Sequence, residues 1–343
     1  MGLNAAIVAV AEETPLVLTV RRPELPVTGA AGATPALDDP SAEQGSVEGL
    51  PFGPFDPILH RTLEIGLRSW VEEQTELQLG YVEQLYTFGD RGRYAVTEGG
   101  PRVVSVGYLA LTRGPSADGA PGRRWSSWYH HFPWEDWRAG RPALIDAEIV
   151  PLLQGWTQAS RTFTQRRRRW ERARLCFGLE DLAWDEEKVL ERYELLYEAG
   201  LVAESVRDQR LRHGGPEASE LFTAPERPLG APMQFDHRRI LATAIGRLRG
   251  KLKYRPVVFE LMAETFTLLE LQRTAEAIAG VRVHKQNFRR IVEREGLVEG
   301  TGDVTTRTGG RPAELFRFRR EVVSERPAAG LRVSPAGLGR RPG

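Results

Sequence analysis

The sequence predicts an α/β protein whose last third is a winged helix-turn-helix. Three observations carry this. Charge is split along the chain: Met233 to Gly343 holds 22 Lys and Arg against 12 Asp and Glu, a net +10, while the remainder holds 25 against 34, a net −9. Within that basic part, helical segments with recognisable stops follow one another and end in one that has a basic outer face. After Gly296, two short strand-like runs flank a glycine-rich loop, as a wing requires.

At 343 residues, with 41% apolar and 27% charged residues, two globular domains are expected. No run of 18 apolar residues occurs, which argues against a membrane-spanning helix. The start MGLNAAIVAVAEETPLVLTVRR has no basic segment ahead of its apolar residues and carries acids within it, so it reads as strand rather than leader. A lone Cys176 leaves no intrachain disulfide and no cysteine-based zinc site, and a reducing cytoplasm is the expected compartment. No metal site is expected.

In chain order, AAIVAV and PLVLTV are strands joined by a short acidic turn. A Gly/Pro/Ala-rich loop spans Gly29 to Gly49; LPFGPFDP then turns into an acid-bearing helix, LEIGLRSWVEEQTEL, and the strand YVEQLYTF. Trp125, Trp128, Trp134 and Trp137 cluster in RRWSSWYHHFPWEDW and read as packing or a dimer interface. Read as a strand, that run points His130 and His131 to opposite faces, which disfavours a shared metal site. Arg166 to Arg169, before Trp170, form either a solvated helix face or a contact to DNA phosphate. WDEEKVLERYELLYEAG is an amphipathic helix capped by Asp185 and stopped by Gly200.

The basic part opens on QFDHRRILATAIGRLRGKLKYRP. Asp236 is its expected N-cap, Ile240, Leu241, Ala244, Ile245, Leu248 and Leu252 its stripe, and Pro256 its end. Arg238, Arg239, Arg247, Arg249, Lys251 and Lys253 lie mostly off the stripe. Thr267 with Glu270 forms a capping box that starts a second helix, with Leu268, Leu271, Ala275 and Ile278 inward and Gly280 as stop. The third helix turns Phe288, Ile291 and Val292 one way and Lys285, Gln286, Arg289 and Arg290 the other, and ends at Gly296. Gln can pair bidentately with adenine and Arg with guanine, so this face can read bases, while Lys and Arg also neutralise phosphate. Lys285, Gln286, Asn287, Arg289 and Arg290 are therefore the candidate DNA-contacting residues, joined by Arg307 and Arg311 on the wing. The alternative, a winged helix that docks protein, predicts no specific DNA binding.

LPFGPFDP, LEIGLRSWVEEQTEL, YVEQLYTFGDRGR, SVGYLALTR, FDHRRILATAIGRLRGKL, ETFTLLELQ, NFRR and GGRPAELFRF, in this order, resemble the Nudix-related transcriptional regulators of NAD metabolism, the NrtR family. The resemblance is strongest to the alphaproteobacterial branch that controls de novo NAD synthesis. It implies a Nudix-like α/β/α sandwich followed by the winged helix. The expected divisions are a sensor at 1–165, a helical insertion and linker at 166–232, the DNA-binding domain at 233–322 and a disordered tail at 323–343.

An active Nudix box reads G-x5-E-x7-R-E-U-x-E-E-x-G-U (U apolar), its glutamates holding Mg²⁺ on a pyrophosphate. Carboxylates suit that hard cation. With Leu77 at the final apolar position, Ser69 stands at the arginine, Trp70 at the first glutamate, Glu73 and Gln74 at the paired acids and Glu76 at the glycine. Shifted by one, Arg68, Glu72 and Glu73 match but Ser69 replaces the first glutamate and Thr75 the glycine. Neither register is intact, so the resemblance implies a pocket without catalysis and without a required cofactor. The expected effector is an adenine nucleotide: ADP-ribose, ATP or NAD. Arg21 and Arg22 are candidates for its phosphates and Phe55, Tyr86 and Phe88 for its base. The expected function is a homodimeric repressor of NAD-biosynthesis genes on palindromic operator DNA. The rival expectation is an active Nudix hydrolase of ADP-ribose with an attached DNA-binding domain.

Overall fold

The computed structural model describes residues 1–22, 47–89, 104–114, 123–213, 229–306, 311–325 and 330–331. Strands β1 (Gly2–Ala11) and β2 (Thr14–Arg22) form a hairpin whose two tip residues, Glu12 and Glu13, both have positive φ. That is the backbone a two-residue turn needs to match strand twist. β3 (Val47–Gly49), β4 (Phe52–Pro54), β5 (Tyr81–Phe88), β6 (Ser105–Leu111) and β7 (Arg123–Ser127) complete one seven-stranded sheet. Its order is β3-β2-β1-β6-β5, with β4 also on β1 and β7 also on β2; β1 and β6 run parallel and the other pairs antiparallel.

Strand alternation assigns the two faces of the sheet. Leu3, Ala5, Ile7, Val106 and Tyr108 form one core with Leu67, Trp70 and Val71 of α1 (Leu63–Thr75). Ala6, Val8, Val17, Leu109 and Leu111 enter the other, larger core. A bulge between Gln84 and Thr87 lets Leu85 and Phe88, three residues apart, both join that second core.

The middle of the chain is helical: α2 (Trp128–His131), α3 (Val150–Gln158), α4 (Phe163–Phe177), α5 (Val189–Glu198) and α6 (Ala203–His213). His130 and His131 thus lie on a helical turn, not on a strand. Phe132 N donates to Trp128 O and Glu135 N to Phe132 O, both at 3.0 Å, and Trp128, Trp134 and Trp137 are buried in the second core. The expected division at 165 falls inside α4. Asp185 does not cap α5; its carboxylate accepts from the Glu187 N–H instead, and the helix starts at Val189 without a side-chain cap.

The helix expected to open the DNA-binding domain, α7 (His237–Leu252), takes a different place. Its stripe packs on β1, β5 and β6 and supplies the second helical layer of an α/β/α sandwich. A Cβ on Gly107 would lie 3.0 Å from Phe88 and 3.1 Å from Ile240, so glycine permits this close approach. Asp236 precedes α7, but its side chain makes no cap bond. The cations of α7 are all paired with carboxylates, Arg247 while remaining exposed. Arg238 pairs with Glu204, Arg239 with Glu194, Arg247 and Lys251 with Glu83, Arg249 with Glu135, and Lys253 with Glu186 and Glu187. Part of the charge asymmetry in the sequence is thus internal: the acidic part of the chain neutralises this helix.

Beyond α7 come α8 (Leu268–Ala279), α9 (Lys285–Glu295) and the hairpin β8 (Val298–Thr305) with β9 (Ala313–Phe318), followed by α10 (Val322–Glu325). Phe266 bridges Phe316 and adds a third edge to the hairpin. Part of the segment expected to be a disordered tail makes ordered contacts. Leu331 is buried and its N–H donates to Leu252 O at 2.7 Å; Val322 is also buried. Residues 326–329 and 332–343 lie outside the described residues.

Candidate nucleic-acid interface and ligand cleft

The helix-turn-helix forms as its local chemistry requires. Thr267 Oγ1 accepts from Glu270 N at 3.2 Å and Glu270 Oε2 accepts from Thr267 N at 2.7 Å, so the capping box closes. Gly280 ends α8 at φ 72, and a Cβ there would lie 2.5 Å from Glu135 O. The turn from Gly280 to His284 is held by Glu276, whose Oε1 accepts from Val283 N and Gln272 Nε2, both at 2.9 Å. Burial pushes the Glu276 carboxyl up, but bonds from Arg282, Val283 and Gln272 outweigh it and hold the carboxyl below its ordinary value.

On α9, Phe288, Ile291 and Val292 are buried, while Lys285, Gln286, Arg289 and Arg290 are exposed. Asn287 is half-buried, and its Oδ1 accepts from Arg290 Nη2 at 2.8 Å. Arg311 is exposed two residues before β9. Arg307 lies outside the described residues.

The turn that aims α9 is gripped by the N-terminal part of the molecule. Trp137 N donates to Gly280 O (2.7 Å), Tyr129 Oη to Ala277 O (2.7 Å) and Arg249 Nε to Ile278 O (2.9 Å). Glu13, on the β1–β2 tip, pairs with Arg273 at 3.4 Å and Arg282 at 3.3 Å. Behind these contacts Glu135 joins Arg192 (2.5 Å) and Arg249 (2.6 Å), all three side chains fully buried. Sequence reasoning missed this cluster, because its members lie 57 and 114 residues from Glu135.

The expected ligand residues do not converge. Arg21 and Arg22 end β2, in register with Glu48 and Val47 of β3; their side chains lie outside the description. Phe55 packs with the α1 core. Tyr86, 66% exposed, and Phe88 meet edge to face at 5.5 Å on the opposite side of the sheet. There they line a cleft of about 580 Å³ between β5, α5 and α7, together with Glu194, Asp236, Arg239 and Arg247. That volume suits a nucleotide-sized ligand, for which pockets run roughly 300–1,000 Å³. Arg239 and Arg247 escaped sequence reasoning because a position off the apolar stripe does not report which cleft it lines.

In α1, Glu76 occupies the left-handed region at φ 56, the conformation for which glycine is preferred. With Leu77 at the last apolar position of the expected box, Glu76 is the residue at its glycine and Trp70 the one at its first glutamate. Trp70 is 5% exposed and packs on Gly53, where an added Cβ would lie 2.9 Å from the indole. Ser69 Oγ donates to Ile65 O at 3.0 Å, and Gln74 Nε2 to Phe52 O at 3.1 Å. Glu72 and Glu73 are exposed.

Residues 258–318 match the family described as the NrtR DNA-binding winged helix domain. A 110-residue stretch is 40% identical to a protein of Acinetobacter baylyi described as an ADPR responsive transcriptional repressor, NtrR; it covers 32% of this chain and 42% of that protein's length. Shewanella oneidensis NrtR superposes with a TM-score of 0.50 at 19% identity, covering 94% of this chain and 95% of that one. The same protein complexed with a 27mer DNA gives a TM-score of 0.49 at 20% identity, with the same coverage. The chain therefore shares the overall fold of that protein, an α/β/α sandwich followed by a winged helix, and the winged helix matches the NrtR domain model.

Proposed function

We propose that the protein is a homodimeric, cytoplasmic repressor of NAD-biosynthesis genes whose N-terminal domain binds an adenine nucleotide and does not cleave it. The observation that carries the reading is the fit of the two halves. A helix with an exposed Lys285–Gln286–Arg289 face follows a turn held by Trp137, Tyr129, Arg249 and Glu13 of the sandwich. A ligand that shifts the sandwich re-aims that helix, and two copies on a palindromic site convert a change of aim into a change of affinity. The relative described as ADPR responsive makes ADP-ribose the first effector to try, ahead of ATP and NAD.

The effector enters the cleft beside Tyr86. Its base stacks on Tyr86, and its phosphates displace Glu194 and Glu83 from the guanidiniums of Arg239 and Arg247. Cleavage is disfavoured because the first carboxylate of the box is replaced by a buried indole, Trp70, which offers Mg²⁺ no ligand. The DNA-facing residues are Lys285, Gln286, Asn287, Arg289 and Arg290, with Arg307 and Arg311 from the wing. Thermal shift with ADP-ribose, ATP and NAD, repeated on the protein bound to its operator, tests the reading. A nucleotide that stabilises the free protein and shifts the complex by a different amount supports it. Equal shifts in both states contradict it, since a ligand without preference moves no equilibrium.

A further inference from the structure

We propose that the amino-terminal half of α4 is a second DNA-contacting surface, gripping phosphates of the duplex outside the bases read by α9. This rests on the winged helix reading above.

Every residue from Arg161 to Arg168 is exposed, and packing begins only at Arg169. The first turns of α4 thus project beyond the body with no apolar face to bury. Phe163 is itself 77% exposed. Such a segment is ordinarily a poor helix. Here its end is closed by its own groups: Thr162 Oγ1 accepts from Gln165 N, and Gln165 Oε1 accepts from Arg161 N, each at 3.2 Å.

The projecting turns carry Arg161, Arg166, Arg167 and Arg168, and none of them forms an ion pair among the described residues. The nearby cations differ: Arg172 pairs with Glu198 and Arg174 with Glu180. Glu171, one turn beyond Arg167, pairs with none of the four. Arg166 with Arg169 and Arg168 with Arg172 stand three and four residues apart, where like charges on a helix repel one another. A polyanion relieves that repulsion, and duplex DNA is the polyanion that the rest of the chain is built to meet.

The projection is also rigidly mounted. Arg169 donates to Trp156 O and Ser160 Oγ, both at 3.1 Å, and its guanidinium lies 4.1 Å from the Trp156 ring. At the other end of α4, Cys176 O accepts from Arg192, which pairs with Glu135, which pairs with Arg249, whose Nε bonds Ile278 O before the turn into α9. The C-terminal end of α4 is thereby linked through buried bonds to the end of α8, ahead of α9.

The test uses the full chain and an operator selected from a random duplex library. The selected site is prepared in two forms, trimmed to the protected bases and extended by flanks of unrelated sequence. Binding is followed by fluorescence anisotropy over a salt series. The wild type is expected to bind the extended duplex about tenfold tighter, with a log–log salt slope steeper by roughly 2–3, since each neutralised phosphate contributes about 0.9. Arg166→Gln/Arg167→Gln/Arg168→Gln should lose both gains and bind the trimmed duplex as the wild type does, with unchanged melting. Retention of both gains in this variant overturns the proposal. So does a variant defect confined to heparin or anionic vesicles, which would assign the patch to another polyanion. A wild type that selects no sequence overturns the winged helix reading itself, whereas one that selects a site but ignores its flanks overturns the α4 surface alone.

Discussion

Arg249 and Glu135 form an ion pair at 2.6 Å with both side chains fully buried, and the pair ties the α/β/α sandwich to the last turn of α8. Burial works against the charge of Arg249, yet the Glu135 carboxylate beside it raises its pKa above the ordinary arginine value. Glu135→Gln removes the shared carboxylate and leaves two buried guanidiniums, Arg192 and Arg249, without a counter-charge. Breaking a buried pair in this way typically costs about 3–5 kcal/mol. Urea denaturation should show a loss of that order, and an unchanged midpoint would refute the account of this cluster.

Gln286→Ala with Arg289→Ala should abolish specific operator binding and leave the circular dichroism spectrum and melting temperature unaltered, because both side chains are exposed. Each lost bidentate base contact is worth about 1–3 kcal/mol. Binding by the wild type should also fall by about 10³–10⁵ between 50 and 200 mM salt if six to ten phosphates are neutralised. Operator shifts by the double variant at wild-type concentration would show that α9 is not the reader.

Much of the DNA-binding part was legible because its signals are local. The Thr267–Glu270 box, the stops at Gly280 and Gly296 and the two faces of α9 each depend on residues a turn or two apart. The placement of α7 was not. An apolar stripe states that a helix buries one side but not against what, and this one lies on the sheet as well as beside α8. The same limit hid the fate of its arginines. Arg238 and Arg249 fall off the apolar stripe, but Glu204 lies 34 residues from the first and Glu135 114 from the second, and no periodicity reports such partners. The ligand candidates suffered similarly. Phe55 and Tyr86 were grouped by chemistry, and the sheet stands between them.

Tyr86 is mostly exposed and carries little packing, so Tyr86→Ala tests the cleft without testing the fold. Loss of an aromatic stack on a base costs about 1–3 kcal/mol. Calorimetry should show ADP-ribose affinity weakened by about tenfold or more at unchanged melting temperature. An unaltered affinity would move the site away from this cleft.

His131 gives the fold a pH dependence. Burial lowers its pKa to about 4 from the ordinary 6.5, with the Nδ1–H···Ala231 O bond at 3.0 Å opposing the shift. The folded state therefore favours the neutral ring. Its contribution is complete above the unfolded pKa and is lost as pH falls from about 6.5 towards 4, by about 3 kcal/mol in all. His131→Gln should flatten the difference in urea midpoint between pH 7 and pH 5 relative to wild type. If both proteins lose stability equally over that interval, His131 is not responsible.

The central claim is that the sandwich binds an adenine nucleotide, leaves it intact and thereby changes operator affinity. The most direct measurement titrates ADP-ribose into the protein–operator complex with and without Mg²⁺, reading anisotropy while chromatography follows the nucleotide. A saturable change in operator affinity, the same with or without the metal, and full recovery of ADP-ribose are expected. Mg²⁺-dependent release of AMP that is lost in Glu73→Gln, or an operator affinity indifferent to the nucleotide, would contradict the claim.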